Sequence, residues 1–273
     1  MIIKFWGVRG SYPISRVGAL KYGGNTSCVS VQINDKLLVI DAGSGVRILG
    51  DALDEKVKDI YIVLTHLHRD HIDGFPFFGP LYEQGRQVHL IDYRRGNKVW
   101  SLISMLDGIH YPMRPSSVKA EYKRVIRGGM KYLREEGFDI SRLPLNHPGG
   151  AYGYRITHNN KVVVHIPDNE LDPKKPKTSF DKFVSFCEGA DLLSHDAMYV
   201  SSEMPKKRGW GHSTVLQACE LAQAAAVKHL VLFHHAPERD DHEIDGLQKM
   251  ASSELTSRKI SCTAAYEGLT FEL

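Results

Sequence analysis

Cysteine is scarce in this 273-residue chain, and Cys28, Cys187, Cys219 and Cys262 stand far apart with no CxxC pair. That spacing argues against a structural zinc knuckle and for scattered reduced thiols of the cytosolic kind. Long apolar runs are missing too, and none approaches the length of a bilayer span. The opening Met1-Ile2-Ile3-Lys4-Phe5-Trp6-Gly7 runs straight into a strand-like pattern without the apolar h-region of a signal peptide. The expectation is a soluble, cytoplasmic protein with no membrane partner. Neither sign of charge dominates: the formal net charge is +3, which gives no reason to expect a broad nucleic-acid-binding face. Repeats, low-complexity tracts and domain-separating linkers are absent as well, so residues 1–273 are read as one domain.

What is present is an ordinary globular composition with one excess. Hydrophobic residues make up 42% and charged residues 25%, enough apolar material for a large core. Histidine is the excess. There are 14, clustered near glycine, proline and aspartate as loop ligands tend to be. Strand patterns dominate the first third, at 2–6, 28–33 and 36–41, with Asn34-Asp35 as a hairpin turn between the last two. A glycine-bearing turn, Asp41-Ala42-Gly43-Ser44-Gly45, leads into a helix at 46–53. Further strands are expected at 60–65, 87–91, 152–157, 161–166, 191–195 and 229–233, and helices at 179–187 and 213–226. The stretch 96–137 reads as helical with a break at 109–115, and 259–273 closes the chain with alternating apolar residues. Strands precede helices in both halves, the pattern of a layered α/β sandwich.

The densest chemistry is Thr65-His66-Leu67-His68-Arg69-Asp70-His71, directly after the apolar run Ile60-Tyr61-Ile62-Val63-Leu64. Three imidazoles and a carboxylate leave the end of one buried strand, so they can converge on a point. Imidazole nitrogen with carboxylate oxygen suits zinc and similar divalent ions. Four donors exceed what one open catalytic zinc takes from a single loop, so the set divides: His66 and His68 for one ion, Asp70 and His71 for another. His147, Asp168 and His234 each follow a strand-like segment. Any one of them alone reads as a satisfied polar loop residue. Together with the motif they complete the inventory that two metals need.

These residues resemble the metallo-β-lactamase superfamily, in particular its phosphodiesterase and ribonuclease Z-like branch. The likeness covers nearly the whole chain. It rests on Asp41-Ala42-Gly43, the His66-x-His68-x-Asp70-His71 motif, His147, Ile166-Pro167-Asp168-Asn169-Glu170, Ser194-His195-Asp196, Gly211-His212-Ser213-Thr214 and Leu232-Phe233-His234. Phe5-Trp6-Gly7-Val8-Arg9-Gly10-Ser11 and Tyr22-Gly23-Gly24-Asn25-Thr26-Ser27-Cys28 look like a bacterial subgroup linked to cyclic-nucleotide phosphodiesterases. The resemblance implies a four-layer αββα sandwich with its site along one edge of the sheets. It implies two divalent metal ions, zinc foremost with manganese or iron as alternatives. One ion would sit on His66, His68 and His147, the other on Asp70, His71 and His234, with Asp168 bridging. Asp41 would be a buried acceptor under the metals, while His195 and His235 would be structural. Arg69 and Asp73 stand where relatives often carry an aromatic and an amide, which implies a more polar wall. Pro167 replaces a small hydroxyl residue, which implies one hydrogen bond fewer beside Asp168.

Two divalent ions, two carboxylates and a bridging hydroxide leave such a site near +1, better suited to a phosphodiester than to a neutral amide. Metal coordination lowers the pKa of water from ~15.7 toward ~7. Asp70, Asp196 and His212 form the catalytic set. By resemblance, Asp196 pairs with His212, which protonates the leaving alkoxide; the competing reading of His212 is a helix cap before Ser213. Lys174, Lys175 and Lys177, with Lys206, Lys207 and Arg208, are expected to form either a basic rim or solvated surface, and Trp210 or Tyr111 a stacking face. The expected substrate is a small anionic phosphodiester, most plausibly a 3′,5′-cyclic nucleotide. The long glycine- and proline-rich arm of a transfer-RNA processing enzyme has no match, so no stable nucleic-acid partner is expected. A homodimer is the assembly that the resemblance implies. The alternatives are a ribonuclease Z-like transfer-RNA 3′-end endonuclease, a thioester or lactone hydrolase, and a non-catalytic metal- or ligand-binding protein.

Overall fold

The computed structural model describes residues 1–95 and 98–273. The first half of the chain contributes strands β1 (Ile2–Gly7), β2 (Cys28–Ile33), β3 (Lys36–Ile40), β4 (Asp59–Val63), β5 (Gln87–Ile91), β6 (Tyr93–Arg95), β7 (Lys98–Trp100) and β8 (Glu121–Val125), with helices α1 (Gly45–Ala52) and α2 (Gly129–Glu135). The second half contributes β9 (Asp139–Leu145), β10 (Ala151–His158), β11 (Lys161–Ile166), β12 (Leu192–Asp196), β13 (His229–Phe233), β14 (Ser261–Ala264) and β15 (Thr270–Glu272). Its helices are α3 (Phe180–Cys187), α4 (Met204–Lys207), α5 (Val215–Ala224) and α6 (Asp241–Leu255).

Two sheets form. One has the order β15-β1-β2-β3-β4-β5-β8, the other β14-β13-β12-β11-β10-β9, and β6 and β7 make a separate two-stranded ribbon. The apolar runs are continuous because these strands are covered on both faces. Leu38 and Ile40 of β3 and Tyr61 and Val63 of β4 enter the core between the sheets, where they meet Ile156, Val163, Val231 and Phe233. Their neighbours Leu37, Val39, Ile60 and Ile62 point the other way and pack under α1 through Val46 and Leu49. On the far side Val164, Leu193, Leu230 and Leu232 pack against Phe183, Val215, Cys219 and Ile244 from α3, α5 and α6. The result is the expected helix–sheet–sheet–helix stack.

The asparagine-bearing hairpin expected between β2 and β3 forms, and a second joins β10 and β11. Asn34, Asn159 and Asn160 take left-handed φ values of 55°, 49° and 61°, which asparagine tolerates better than most residues. One expectation needs correction. Residues 96–137 are not a helical stretch. Gly96 and Asn97 lie outside the described residues, and the remainder holds β7, short 3-10 turns, the edge strand β8 and only then α2. Helix α6 was not anticipated, although Asp240 and Glu243 form a reciprocal capping box at its start. The closing segment supplies two strands to two different sheets, β14 beside β13 and β15 beside β1.

The parallel runs matter for the site. β3 pairs parallel with β4, and β11, β12 and β13 run parallel to one another. The segments that follow these strands therefore gather along one edge of the sandwich, the usual place for ligands in α/β sheets. Among the described residues, no helix is long and apolar enough to cross a membrane.

Candidate metal centre

Asp41, His66, Asp168, Asp196 and His234 end or closely follow β3, β4, β11, β12 and β13, and His147 follows β9. The structure brings His66, His68, His147 and Asp168 into one group and Asp70, His71, Asp168 and His234 into a second. Within each group the ligand atoms lie within 4.8 Å of one another. Asp168 belongs to both, with Oδ1 3.1 Å from His71 Nε2 and 3.2 Å from His234 Nε2, and Oδ2 3.7 Å from His66 Nε2.

Backbone and neighbouring side chains aim these groups. Asp41 is fully buried and accepts from the Thr65 amide at 2.8 Å and the Thr65 hydroxyl at 2.8 Å. Its Oδ2 lies 2.7 Å from His71 Nδ1, which leaves His71 Nε2 facing the cluster. Thr65 Oγ1 does the same for His66 through Nδ1 at 3.0 Å. His147 Nδ1 donates to the Gly211 carbonyl at 2.9 Å, turning Nε2 toward His68. Asp70 Oδ2 accepts from the Ser11 amide at 2.7 Å. Asp41 and His234 hold left-handed φ values of 65° and 61°, strain of the kind that collects at functional sites.

The electrostatics suit divalent cations. Burial pushes His66 well below its ordinary pKa and lowers His68 and His147 too, so these rings are neutral and keep a lone pair. His71 goes the other way. Burial opposes its charge, but Asp168, Asp70 and Asp41 hold it protonated well above the usual range. Burial opposes ionisation of Asp70 and Asp168 as well, yet the neighbouring His71 and His234 keep both carboxylates charged. Buried carboxylates this close require positive charge among them. His66 Nε2, His71 Nε2 and Asp168 Oδ1 are buried with no hydrogen-bond partner although they face the cluster. Buried polar atoms rarely stay unsatisfied, and this donor set of imidazole nitrogen and carboxylate oxygen fits divalent metal ions.

Beside the cluster, His212 Nδ1 lies 2.7 Å from Asp196 Oδ2. Asp196 is fully buried and also accepts from the amides of Asn169 and Met198, each at 3.0 Å. Burial lowers the His212 pKa, but the charge and hydrogen bond of Asp196, with Asp168 and Asp70 behind, push it up to about 9. His212 lines a 370 Å³ cavity with His68, Asp70, Asp168 and His234, so its ring fronts the same space as both groups. Helix capping before α5 falls to Thr214, whose hydroxyl accepts from the Gln217 amide, and not to His212. His195 and His235 are buried and spend ring nitrogens on the carbonyls of Asp196 and Ala265.

The other singled-out residues divide. Lys175 and Lys177 line a 200 Å³ cavity that adjoins His147 and Gly211. Arg208 instead pairs with Asp172, and Lys207 Nζ lies 4.1 Å over the Trp210 ring; Lys174 and Lys206 are exposed. Trp210 is 57% exposed, while Tyr111 lines a cavity with Arg69. Arg69 and Asp73 pair at 3.1 Å and line a polar recess with Ser11 and Asp70. Two contributors escaped the sequence reading. Gly10 lies so close to His234 that a Cβ there would collide with the imidazole. Glu170 is buried, and its carboxylate accepts from the amides of Gly209 and Gly211. The signal for Gly10 was its place in Val8-Arg9-Gly10-Ser11, and that for Glu170 its place in Ile166-Pro167-Asp168-Asn169-Glu170.

A family model described as a beta-lactamase superfamily domain matches residues 37–235, well over half of the chain. The ribonuclease Z of Exiguobacterium sibiricum is 30% identical over 234 residues, 69% of this chain and 74% of that protein. The ribonuclease Z of Lactococcus lactis subsp. cremoris is 26% identical, over 77% of this chain and 83% of that protein. Among solved structures, the metallo-beta-lactamase fold protein YhfI from Bacillus subtilis superposes with a TM-score of 0.69 at 21% identity, covering 100% of this chain and 99% of that one. A diphosphatase of the PhnP family superposes with a TM-score of 0.66 at 22% identity, covering 100% and 97%. At these identities the structural likenesses speak for the fold alone. The matched family domain, the αββα stack and the two histidine–aspartate groups at the sheet edge agree: this chain belongs to the metallo-β-lactamase superfamily.

Proposed function

We propose that the protein is a metal-dependent phosphodiesterase acting on a small phosphodiester, with a 3′,5′-cyclic nucleotide as the substrate. The observation that carries this reading is the 2.7 Å contact between His212 and Asp196 at the wall of the histidine–aspartate cluster. A thioester expels a thiolate that has little need of a dedicated proton donor, whereas a phosphodiester expels an alkoxide that does.

His66, His68 and His147 would hold one ion, Asp70, His71 and His234 the other, and Asp168 both. When bound, two divalent ions polarise a phosphoryl oxygen and supply a nucleophile from water at neutral pH. The chain's own residues do the rest. Asp70, fixed by the Ser11 amide and His234, keeps its carboxylate aimed into the cavity. Asp196 accepts from His212 Nδ1 and so leaves the Nε2–H to face substrate. As the P–O bond to the leaving group breaks, that proton passes to the departing oxygen. The imidazole is then neutral and is reprotonated from solvent, with Asp196 stabilising the imidazolium. Lys175 and Lys177 on the rim favour approach of an anion. The 370 Å³ cavity over the cluster is of small-molecule size.

One observation favours a second reading, a transfer-RNA 3′-end endonuclease: the curated relatives reported above are both named ribonuclease Z. A panel of 3′,5′-cyclic nucleotides against precursor transfer RNA, with metal content measured on the same preparation, separates the two. Turnover of cyclic nucleotides alone supports the phosphodiesterase. Cleavage of the RNA alone replaces it with the endonuclease, and full metal content with no turnover of either leaves a binding protein.

A further inference from the structure

A second cavity, about 620 Å³ in volume, opens beside the His66 and His68 side of the cluster, between the β6–β7 ribbon and loop 147–150. Leu67 and His68 line both this cavity and the one over the cluster, so the two adjoin. Its walls are the indole of Trp100 with Leu67, Val99 and Pro148, and among the described residues the ammonium of Lys98 is its cation. Core packing accounts for Leu67 and Trp100 only in part. Val99 is 39% exposed, and Trp100 is only partly covered by the outer core of the first sheet.

The two sides of the cavity are tied together. The Tyr93 hydroxyl donates to the Gly150 carbonyl at 2.9 Å, linking the ribbon to the loop that carries His147. That loop bends through φ values of 82° at Gly149 and 83° at Gly150, a backbone that glycine adopts without strain and that places no side chain in the space. The outcome is a preformed slot with apolar faces that carries Lys98 and reaches His66 and His68 of the metal-binding groups.

We propose that this slot is the subsite for the nucleobase of the substrate, stacked on Trp100 with an electronegative ring edge toward Lys98. The proposal rests on the phosphodiesterase reading and adds the part of the substrate that sets specificity. A flat heteroaromatic ring matches the apolar faces, and its lone pairs match the ammonium. A ribose would bridge the shared Leu67–His68 rim to a phosphoryl group over the cluster. In this proposal Trp100 takes the stacking role that the sequence reading gave to Trp210 or Tyr111.

The test compares two esters with the same leaving group, thymidine 5′-(p-nitrophenyl phosphate) and methyl p-nitrophenyl phosphate. In Trp100→Ala the ratio of their kcat/KM values should fall at least about tenfold, and Trp100→Phe should restore most of it. In parallel, calorimetry should show AMP binding weakened by a similar factor in Trp100→Ala while ribose 5-phosphate binding is unchanged. An unchanged ester ratio, or AMP held equally well by the alanine variant, overturns the subsite and leaves the phosphodiesterase reading in place. Trp100-dependent binding of AMP by a protein that hydrolyses neither ester supports the subsite and removes the phosphodiesterase reading instead.

Discussion

His212 shows how one side chain's surroundings decide what it can do. An isolated imidazole is mostly deprotonated at neutral pH, and burial makes that worse. Here the Asp196 carboxylate reverses the balance and lifts the ring's pKa to about 9, so it remains a proton donor through neutral pH. If that proton serves the leaving group, His212→Ala should slow esters of poor alkoxide leaving groups by ~10²–10⁴-fold. Release of p-nitrophenolate, stable without protonation, should slow much less. Asp196→Asn should show the same selectivity in weaker form, since the imidazole stays but loses its charged partner. Kinetics on both ester types, with metal content checked in each variant, decide the matter. Equal losses on activated and unactivated esters would make His212 a positioning group. The pair was legible in Ser194-His195-Asp196 and Gly211-His212-Ser213-Thr214 by resemblance alone. Its 2.7 Å contact joins residues from a strand end and a loop, which no local pattern fixes.

At the level of elements, loop 209–211 links two functions through Glu170. The Glu170 carboxylate accepts from the Gly209 and Gly211 amides, and the Gly211 carbonyl in turn orients His147 one residue before His212. Gly211 holds a φ of 89° and passes so close to His147 that a Cβ would collide with the ring. Glu170→Gln keeps the shape but removes the charge from these hydrogen bonds, and one of its terminal atoms becomes a donor facing a donor. We expect metal affinity to drop about 10- to 100-fold, the usual cost of disturbing a group that orients a ligand. A lower kcat at saturating metal with little change in KM should accompany it. Chelator competition alongside steady-state kinetics checks both, and unchanged metal affinity would reduce Glu170 to a loop anchor. The elements themselves were unevenly legible. Strands β3, β4, β11 and β13 announced themselves by buried apolar runs. The 96–137 stretch misled because Val99, Leu102, Ile103, Met105 and Leu106 mimic a helical spacing. Of these, Leu102, Ile103, Met105 and Leu106 instead pack from short turns against the outer face of the first sheet, and Val99 lies exposed on the ribbon. Helix α6 was missed for the opposite reason: its buried residues Ile244, Leu247, Ala251 and Leu255 are few among polar ones.

For the whole molecule, histidines buried without charge tie stability to pH. Burial lowers His165 and His235 to about 3, against an unfolded value near 6.5. Below about 6.5 the unfolded chain takes up protons that the native state refuses until about 3. Each residue therefore lowers stability as the pH falls through that window, by at most about 1.4 kcal/mol per pH unit, and adds no pH dependence above it. Urea unfolding of chelator-treated protein between pH 7.5 and 4.5 should show a falling midpoint, and His235→Gln should make the fall shallower. An unaltered slope would mean that burial does not lower His235 below its unfolded value. Read alone, the sequence determined the layered α/β class, the hairpin turns and the chemical identity of the histidine–aspartate set. Those depend on local periodicity, turn chemistry and donor type, all of which reside in neighbouring residues. Tertiary structure decided that segments after β3, β4, β9, β11, β12 and β13 meet at one edge, that Glu170 and Gly10 brace the cluster, and that Trp100 walls a slot beside it. Those facts follow from strand order and sheet packing, which bring together residues that stand tens to hundreds of positions apart in the chain.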